Sequence, residues 1–437
     1  QVFAASPARL LRRAAWAGAW PLRRKMAIGA RAAMLRDEVQ PWESTLRLVD
    51  GVLTSHRFSL SRAITLAESS REDHRIQAEI LLDRVLARRK QIDEEHVEAH
   101  ARSAAAAAEA LAAASADEEV EEEARQEKRF KRSKGAPRDT GDPRDPFRFQ
   151  LPTFRVGIAG PPGAGKSTLI EALGLHVISQ GHRVAVLAVD PSSSQTGGSI
   201  LGDKTRMNDL ARNPASYVRP SPSRGTLGGI AQHTHDAMLL CEGAGYDIVL
   251  VETVGLGQSE VIVDDTVDML LLLLPPGGGD ELQGVKRGIM EVADMVVVNK
   301  SDGNLSEAAR LAAAEHRRAL QLMRRRHRDW DPPVLRCSAL LQDRVERVWE
   351  RMCEFRGVMS RTGQMAEKRT KQRQKWMWTQ TTETLVALAR SSPELRALAA
   401  ELEPDLVSGH ITPGRAAQLL VSRFLATPLV AEEKGVG

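Results

Sequence analysis

One eight-residue stretch limits the architecture of this chain more than any other: Gly160-Pro161-Pro162-Gly163-Ala164-Gly165-Lys166-Ser167. It follows the apolar run RVGIA and opens the helical pattern STLIEALGLHVI, in which Thr168 stands in the first turn. Its glycines let backbone N–H groups turn inward around phosphate oxygens, and the helix start adds partial positive charge. In this spacing Lys166 reaches β- and γ-phosphates and the Ser167 hydroxyl binds Mg²⁺. The loop needs a strand before it and a helix after it, and the sequence supplies both.

The same alternation continues downstream. RVAVLAVD, DIVLVET, MLLLLLP, DMVVVNKSD and PVLRCSA are short apolar runs that include or end in Asp, Glu, Pro or Asn, with helical patterns between several of them. Continuous apolar strands interleaved with helices predict an α/β fold: a parallel sheet covered by helices on both faces. Ligands in such sheets bind at the carboxyl ends of the strands. The expected organisation is residues 1–36 as a leader, 37–92 as an N-terminal helical segment with two amphipathic helices over 42–92, 93–150 as a charged linker, 151–343 as the sheet domain and 344–437 as a helical C-terminal dimerisation region. In 37–92, Ile64, Leu66, Ile80, Leu81, Val85 and Leu86 recur at helical spacing. The 93–150 stretch runs through an alanine block, an acidic block and a basic block with little to bury, so it is assigned no chemistry.

A sequence pI near 9.0 first suggests a nucleic-acid partner, but the charge is unevenly placed. Residues 1–36 hold seven Arg, one Lys and no acid; taking their +8 from the total of +4 leaves about −4 on the rest. No nucleic-acid face is therefore expected. An acid-free leader rich in Arg and Ala suits a mitochondrial transit peptide, with a basic arm as the alternative. No run of 18 apolar residues suggests a membrane span. Three scattered cysteines (Cys241, Cys337 and Cys353) fit a reducing compartment better than a disulfide framework.

Asn299-Lys300-Ser301-Asp302 selects the base. A carboxylate here accepts both N1–H and the exocyclic amine of guanine, whereas adenine offers a bare acceptor at N1. Ser338-Ala339-Leu340, after another apolar run, would set backbone N–H groups by the guanine carbonyl. Magnesium calls for more oxygen ligands. Asp190, Asp203 and Glu252 are the candidates, with turn or cap roles as the alternative for the first two. Nucleotide hydrolases commonly end the strand before Glu252 in Asp-x-x-Gly; here the order is Glu252-Thr-Val-Gly255, one methylene longer.

Seven ordered motifs (GPPGAGKST, LAVDPSSS, GGSILGDKTRM, RPSPSRGTLGG, CEGAGYDIVLVETVGLGQSE, LLLPPGGGDELQGVKRGI and NKSD) closely resemble the methylmalonic aciduria type A/MeaB family, within the metallochaperone-type P-loop GTPases. A Glu in the Asp-x-x-Gly position is a mark of that branch. The resemblance runs through about residues 154–380. It implies a homodimeric GTPase of the mitochondrial matrix that uses GTP/GDP and Mg²⁺. Such a protein gates adenosylcobalamin loading and release on methylmalonyl-CoA mutase and protects the mutase. The cobalamin adenosyltransferase enters as a further candidate partner. By residue, the resemblance makes Gly160–Thr168 the phosphate loop and places Lys166, Asp203 and Glu252 in catalysis. Ser167, Asp190 and Glu252 surround the metal; Asn299, Lys300, Asp302 and Ser338–Leu340 hold the base. Gly277, Gly278, Gly279, Asp280 and Lys286 match a mobile loop that senses nucleotide and partner, with a passive turn as the alternative. SPSRGTLGG is either a second switch or a plain connection.

The chain departs from the family pattern in its long 93–150 insertion and in Leu340, where other GTPases often carry Lys. A small-molecule kinase or ATP-driven transport component is the rival the phosphate loop alone permits, and NKSD argues against adenine. A nickel or zinc delivery GTPase would carry Cys-x-Cys-Cys or Cys-Pro-His, and neither occurs here. His233-x-His235 with Cys241 is a weak soft-metal pattern. The aromatic stretch Trp376-Met377-Trp378 either fills a groove in its own chain or faces a partner; the expectation is a dimer through the C-terminal helices.

Overall fold

The computed structural model describes residues 40–92 apart from 70 and 72, then 153–190, 207–222, 227–253, 263–277 and 287–426. The leader, the 93–150 linker, Asp203, Gly278, Gly279, Asp280 and Lys286 lie outside the described residues. The chain divides into two compact units, residues 1–103 with 239–245, and residues 104–238 with 246–437.

In the first unit the two expected helices are three: α1 (Glu43–Leu53), α2 (Arg57–Ala67) and α3 (73–92). The extra break falls at Thr54–His56, where Ser55 takes a positive φ of 61° and its hydroxyl donates to Ala244 O at 2.6 Å. Ile64, Leu81 and Val85 are fully buried, while Leu66, Ile80 and Leu86 are half-buried. Gln77 fixes the entry to α1, its Oε1 accepting from Trp42 N at 2.9 Å and Thr45 Oγ1 at 2.8 Å.

The second unit is built on a seven-stranded, all-parallel sheet in the order β3-β2-β4-β1-β5-β6-β7. Its strands are β1 (Phe154–Ala159), β2 (Val184–Asp190), β3 (Ser216–Pro222), β4 (Ile248–Thr253), β5 (Met269–Leu274), β6 (Met295–Val298) and β7 (Val334–Arg336). Six of these are the apolar runs read from sequence. The seventh, β3, was not among them, because SYVRPSP carries two prolines and no apolar run. As an edge strand it tolerates Pro220 and Pro222, which cannot donate to a ladder.

A repeated local device sets the strand register. Asp247, Asp268 and Asp294 each stand one residue before a strand, and each carboxylate accepts the N–H of a residue at the start of a neighbouring strand. Arg183 N donates to Asp247 at 2.9 Å, Arg155 N to Asp268 at 2.9 Å and Leu270 N to Asp294 at 2.8 Å. Slipping β1 or β5 by one residue would leave a buried N–H and a buried carboxylate unsatisfied.

Helices α4 (Lys166–Ser179), α5 (Asn208–Arg212), α6 (Leu227–Gly243), α7 (Arg287–Val292) and α8 (Ser306–Gln321) lie between strands, and α9 (Val345–Arg361) follows β7. Leu169, Leu173 and Val177 of α4 join Val345, Val348, Trp349, Met352 and Phe355 of α9 in one core with β1 and β5. The chain after residue 344 therefore begins inside the sheet's own core. Only beyond the first half of α10 (Gln364–Ser391), and along α11 (Pro393–Val407) and α12 (Pro413–Ala426), do the buried residues thin out to Leu395 and Ala416. Among the described residues no helix is long and apolar enough to cross a membrane.

Candidate nucleotide site

The phosphate loop runs from the carboxyl end of β1 into α4. Gly163 and Gly165 adopt positive φ angles of 80° and 92°, and Gly165 stands immediately before the first residue of α4. A Cβ at Gly165 would sit 2.5 Å from Asn299 Nδ2, so both the backbone sign and the crowding demand glycine. Ala164 is fully buried beneath the loop, while Pro162, Gly163 and Thr168 are exposed. Lys166 extends along the loop and donates from Nζ to Gly160 O at 2.8 Å and Pro161 O at 3.2 Å.

Glu252, one residue short of the end of β4, meets this loop directly. Ser167 Oγ donates to Glu252 Oε1 at 2.9 Å, and Thr253 Oγ1 donates to Ile158 O on β1 at 3.3 Å. Pairing of Ile158 with Glu252 in the ladder places the carboxylate level with the last residues of β1. A hydroxyl and a carboxylate oxygen converging here are hard donors of the kind Mg²⁺ takes, so these residues fit that ion. Asp190 closes β2 opposite Pro222 of β3; its side chain is outside the described residues.

The segment Asn299–Asp302 follows β6. Asn299 is buried and bridges two loops: its Nδ2 donates to Ala164 O at 2.9 Å and its Oδ1 accepts from Ala339 N at 3.0 Å. Lys300 is exposed, with a positive φ of 55°, and Asp302 is half-buried at the head of a 3₁₀ turn (Gly303–Leu305). Ser301 N donates to Cys337 O at 3.0 Å, which joins this segment to the loop after β7. That loop is braced by reciprocal backbone bonds between Ser338 and Asp343, each 3.0 Å. Ser338 and Ala339 are buried and Leu340 is 77% exposed. The buried Cys337 thiol lies 3.6 Å from Asn299 Oδ1, and burial, helped by the charge of Asp343, pushes it up to about 12.

Phosphate loop, serine-bound carboxylate and guanine segment thus come together, while Asp203, Asp280 and Lys286 lie outside the described residues and Gly277 is an exposed residue past β5. What sequence reasoning missed is the bracing: Asn299 tying the phosphate loop to the Ser338 loop. Only its place in NKSD pointed to it.

A parallel sheet whose first strand opens into such a loop, with an Asn-Lys-x-Asp segment braced against it, is the arrangement of a P-loop GTPase. The chain belongs to the family described as "Methylmalonyl Co-A mutase-associated GTPase MeaB", whose sequence model matches residues 152–394. It is 44% identical over 378 residues to the "Methylmalonic aciduria type A homolog, mitochondrial" of Mus musculus, covering 86% of this chain and 79% of that one. It is 50% identical over 234 residues to "GTPase ArgK" of Escherichia coli, covering 54% and 71%. Among solved structures it is similar to one titled "Crystal structure of LAO/AO transport system kinase", at 28% identity and a TM-score of 0.58, with 89% of this chain and all of that chain covered.

Proposed function

We propose that this GTPase serves methylmalonyl-CoA mutase in the mitochondrial matrix, using GTP hydrolysis to gate adenosylcobalamin loading and release and to protect the mutase. The observation that carries this reading is the direct Ser167–Glu252 contact at the phosphate loop, in a chain of the mutase-associated family. Support for the compartment comes from the name of the mouse relative and the Arg-rich, acid-free residues 1–36.

In this reading the backbone of Gly160–Ser167 holds the phosphates, and Lys166 leaves its own loop carbonyls for the β- and γ-oxygens. Its charge then offsets the charge that develops as the γ-phosphoryl group transfers to water in line. Ser167 and Glu252 would hold Mg²⁺, with Asp190 contributing, and the ion would supply neutralisation of phosphate charge. Glu252 and Asp203 orient the attacking water. Asp302 accepts two hydrogen bonds from guanine, Asn299 and Lys300 shape that pocket, and the backbone of Ser338–Leu340 faces the base carbonyl. The loop Gly277–Asp280 with Lys286 senses partner and nucleotide.

The C-terminal helices supply the proposed homodimer contact. Met377, Trp378, Leu385, Val386 and Leu388 on α10, and Val407, Val421 and Leu425 beyond it, are exposed large apolar residues. Apolar side chains repeated in this way along consecutive helices suit a protein interface. Light scattering at micromolar concentration tests it, with a monomer as the outcome that removes the dimer. The cobalamin adenosyltransferase is a further partner on this reading.

The deciding experiment is GTP hydrolysis by the full chain alone and with excess methylmalonyl-CoA mutase. Marked acceleration supports the assignment. A rate indifferent to the mutase removes that client.

A further inference from the structure

One face of α10 grips a single short segment of the sheet domain. Lys368, Arg369, Gln372, Lys375 and Trp376 recur at helical spacing, and every one of them contacts residues 264–268. Lys368 Nζ donates to Asp264 Oδ1 at 3.1 Å and to Asp268 O at 3.0 Å. Arg369 forks onto Asp268, from Nε to Oδ1 at 2.7 Å and from Nη2 to Oδ2 at 2.6 Å, and also reaches Thr153 O. Gln372 Nε2 donates to Val267 O at 2.8 Å and to Asp264 O at 3.3 Å. Lys375 pairs with Asp265, and Trp376 Nε1 donates to Asp265 O at 3.4 Å while its ring stacks on His235 at 5.5 Å.

The gripped segment leans on the strand that carries the phosphate loop. A Cβ on Gly157 of β1 would lie 2.8 Å from Val263 Cγ1 and 3.2 Å from Val267 Cγ2, so the two valines pack against bare backbone three residues before Gly160. Asp268 also accepts from Arg155 N on the same strand. In the opposite direction, the helix emerges from the grip with Met377 and Trp378 54% and 66% exposed. A contiguous, packed and hydrogen-bonded route therefore runs from exposed apolar residues of α10 to the root of the phosphate loop.

We propose that Lys368, Arg369 and Gln372 are positioning residues for GTP hydrolysis. They lock 264–268, and through it β1, to α10, so that the conformation of α10 and that of the phosphate loop are coupled by this route. Reciprocity requires that nucleotide in the loop also alter α10. The inference rests on the nucleotide-site reading above and names the element through which that site is regulated.

Hydrogen exchange on the full chain, with and without GDP or a non-hydrolysable GTP analogue, tests it. In the wild type, nucleotide should slow exchange at residues 160–168 and also at 365–378, the latter by about fivefold, the lower edge of ordinary coupling between sites. Gln372→Met keeps the length and loses the donor. It should keep the loop response, lose the helix response, and lower kcat about tenfold with KM nearly unchanged, as for an interaction felt mainly in the transition state. Arg369→Lys, which keeps the charge, should retain most of the helix response, and Lys368→Met gives an independent cut should Gln372→Met fold poorly. Protection of the loop with an unresponsive helix in the wild type would overturn the proposal, as would an unchanged helix response in both Met variants. No protection anywhere would overturn the nucleotide-site reading itself, and this proposal with it.

Discussion

Ser167 Oγ and Glu252 Oε1 stand 2.9 Å apart, joining the phosphate loop to the strand two places from β5 in the order β4-β1-β5. The contact bears on the extra methylene of Glu252. Its backbone pairs with Ile158, one residue short of the end of β1, and the side chain covers the remaining distance to a hydroxyl on the first turn of α4. Glu252→Asp should therefore loosen the contact while keeping the charge, and Glu252→Gln should keep the reach while removing the charge. On the proposal that the carboxylate is a ligand of Mg²⁺, both variants should bind GDP in EDTA about as well as wild type while losing magnesium-dependent tightening. Nucleotide titration with and without the metal checks this. Equal loss in EDTA would count against the role.

Lys166→Ala should reduce GTP turnover by at least about 100-fold, the scale on which removal of one preorganised charge partner acts. The fold should persist, because the ammonium's bonds to Gly160 O and Pro161 O stay within the loop itself. Steady-state phosphate release, with circular dichroism as the control, decides it.

Asp302→Asn replaces a double acceptor with one donor and one acceptor. Guanine N1–H and its amine then face a mismatch, and xanthine, with an oxygen in place of the amine, gains a donor. The ratio of GTP to XTP turnover should fall by about tenfold or more, since an unpaired buried polar group costs about 1–3 kcal/mol. An unchanged ratio would place the base elsewhere.

Asp268 and Asp294 provide a pH signature. Burial by itself would raise both carboxyls; Arg369 reverses this at Asp268, and Lys368, the His327 hydrogen bond and Arg326 reverse it at Asp294, so both are held below the ordinary carboxylate value. A carboxyl depressed in the folded state contributes stability that is complete above its unfolded value, about 3.9, and is lost as pH falls through the folded value. Tm should therefore hold down to about pH 5 and fall steeply below pH 4. Asp268→Asn strips the charge opposing Arg369 and should cost about 3–5 kcal/mol at neutral pH, as for breaking a buried pair, while flattening the acid limb. Thermal melts across pH 3–7 measure both effects.

The central strands and the loops at their carboxyl ends were legible because each signal was local: an apolar run, a glycine spacing, a four-residue motif. The edge strand β3 was not, because sheet-edge tolerance of Pro220 and Pro222 is a property of position in the sheet. The break at Ser55 was hidden for a similar reason: no Gly or Pro marks it, and Ala244 that receives its hydroxyl lies far along the chain. For Trp376 the reading of the aromatic stretch as filling a groove in its own chain holds. It is buried against His235, and Trp378 is exposed. Asn299 was legible as a base-motif residue, yet its bridge from Ala164 to Ala339 needs three loops placed in space.

The aspartates that precede β4, β5 and β6 give the two edges of the sheet different genetics. Substitutions along the carboxyl edge should yield a chain of normal abundance with a disabled switch. Those at Asp294 should yield a GTPase that is sound in each surviving molecule but scarce, because a loss of a few kcal/mol feeds cellular clearance. A stabilising ligand should restore function to variants of the second kind and leave those of the first unchanged.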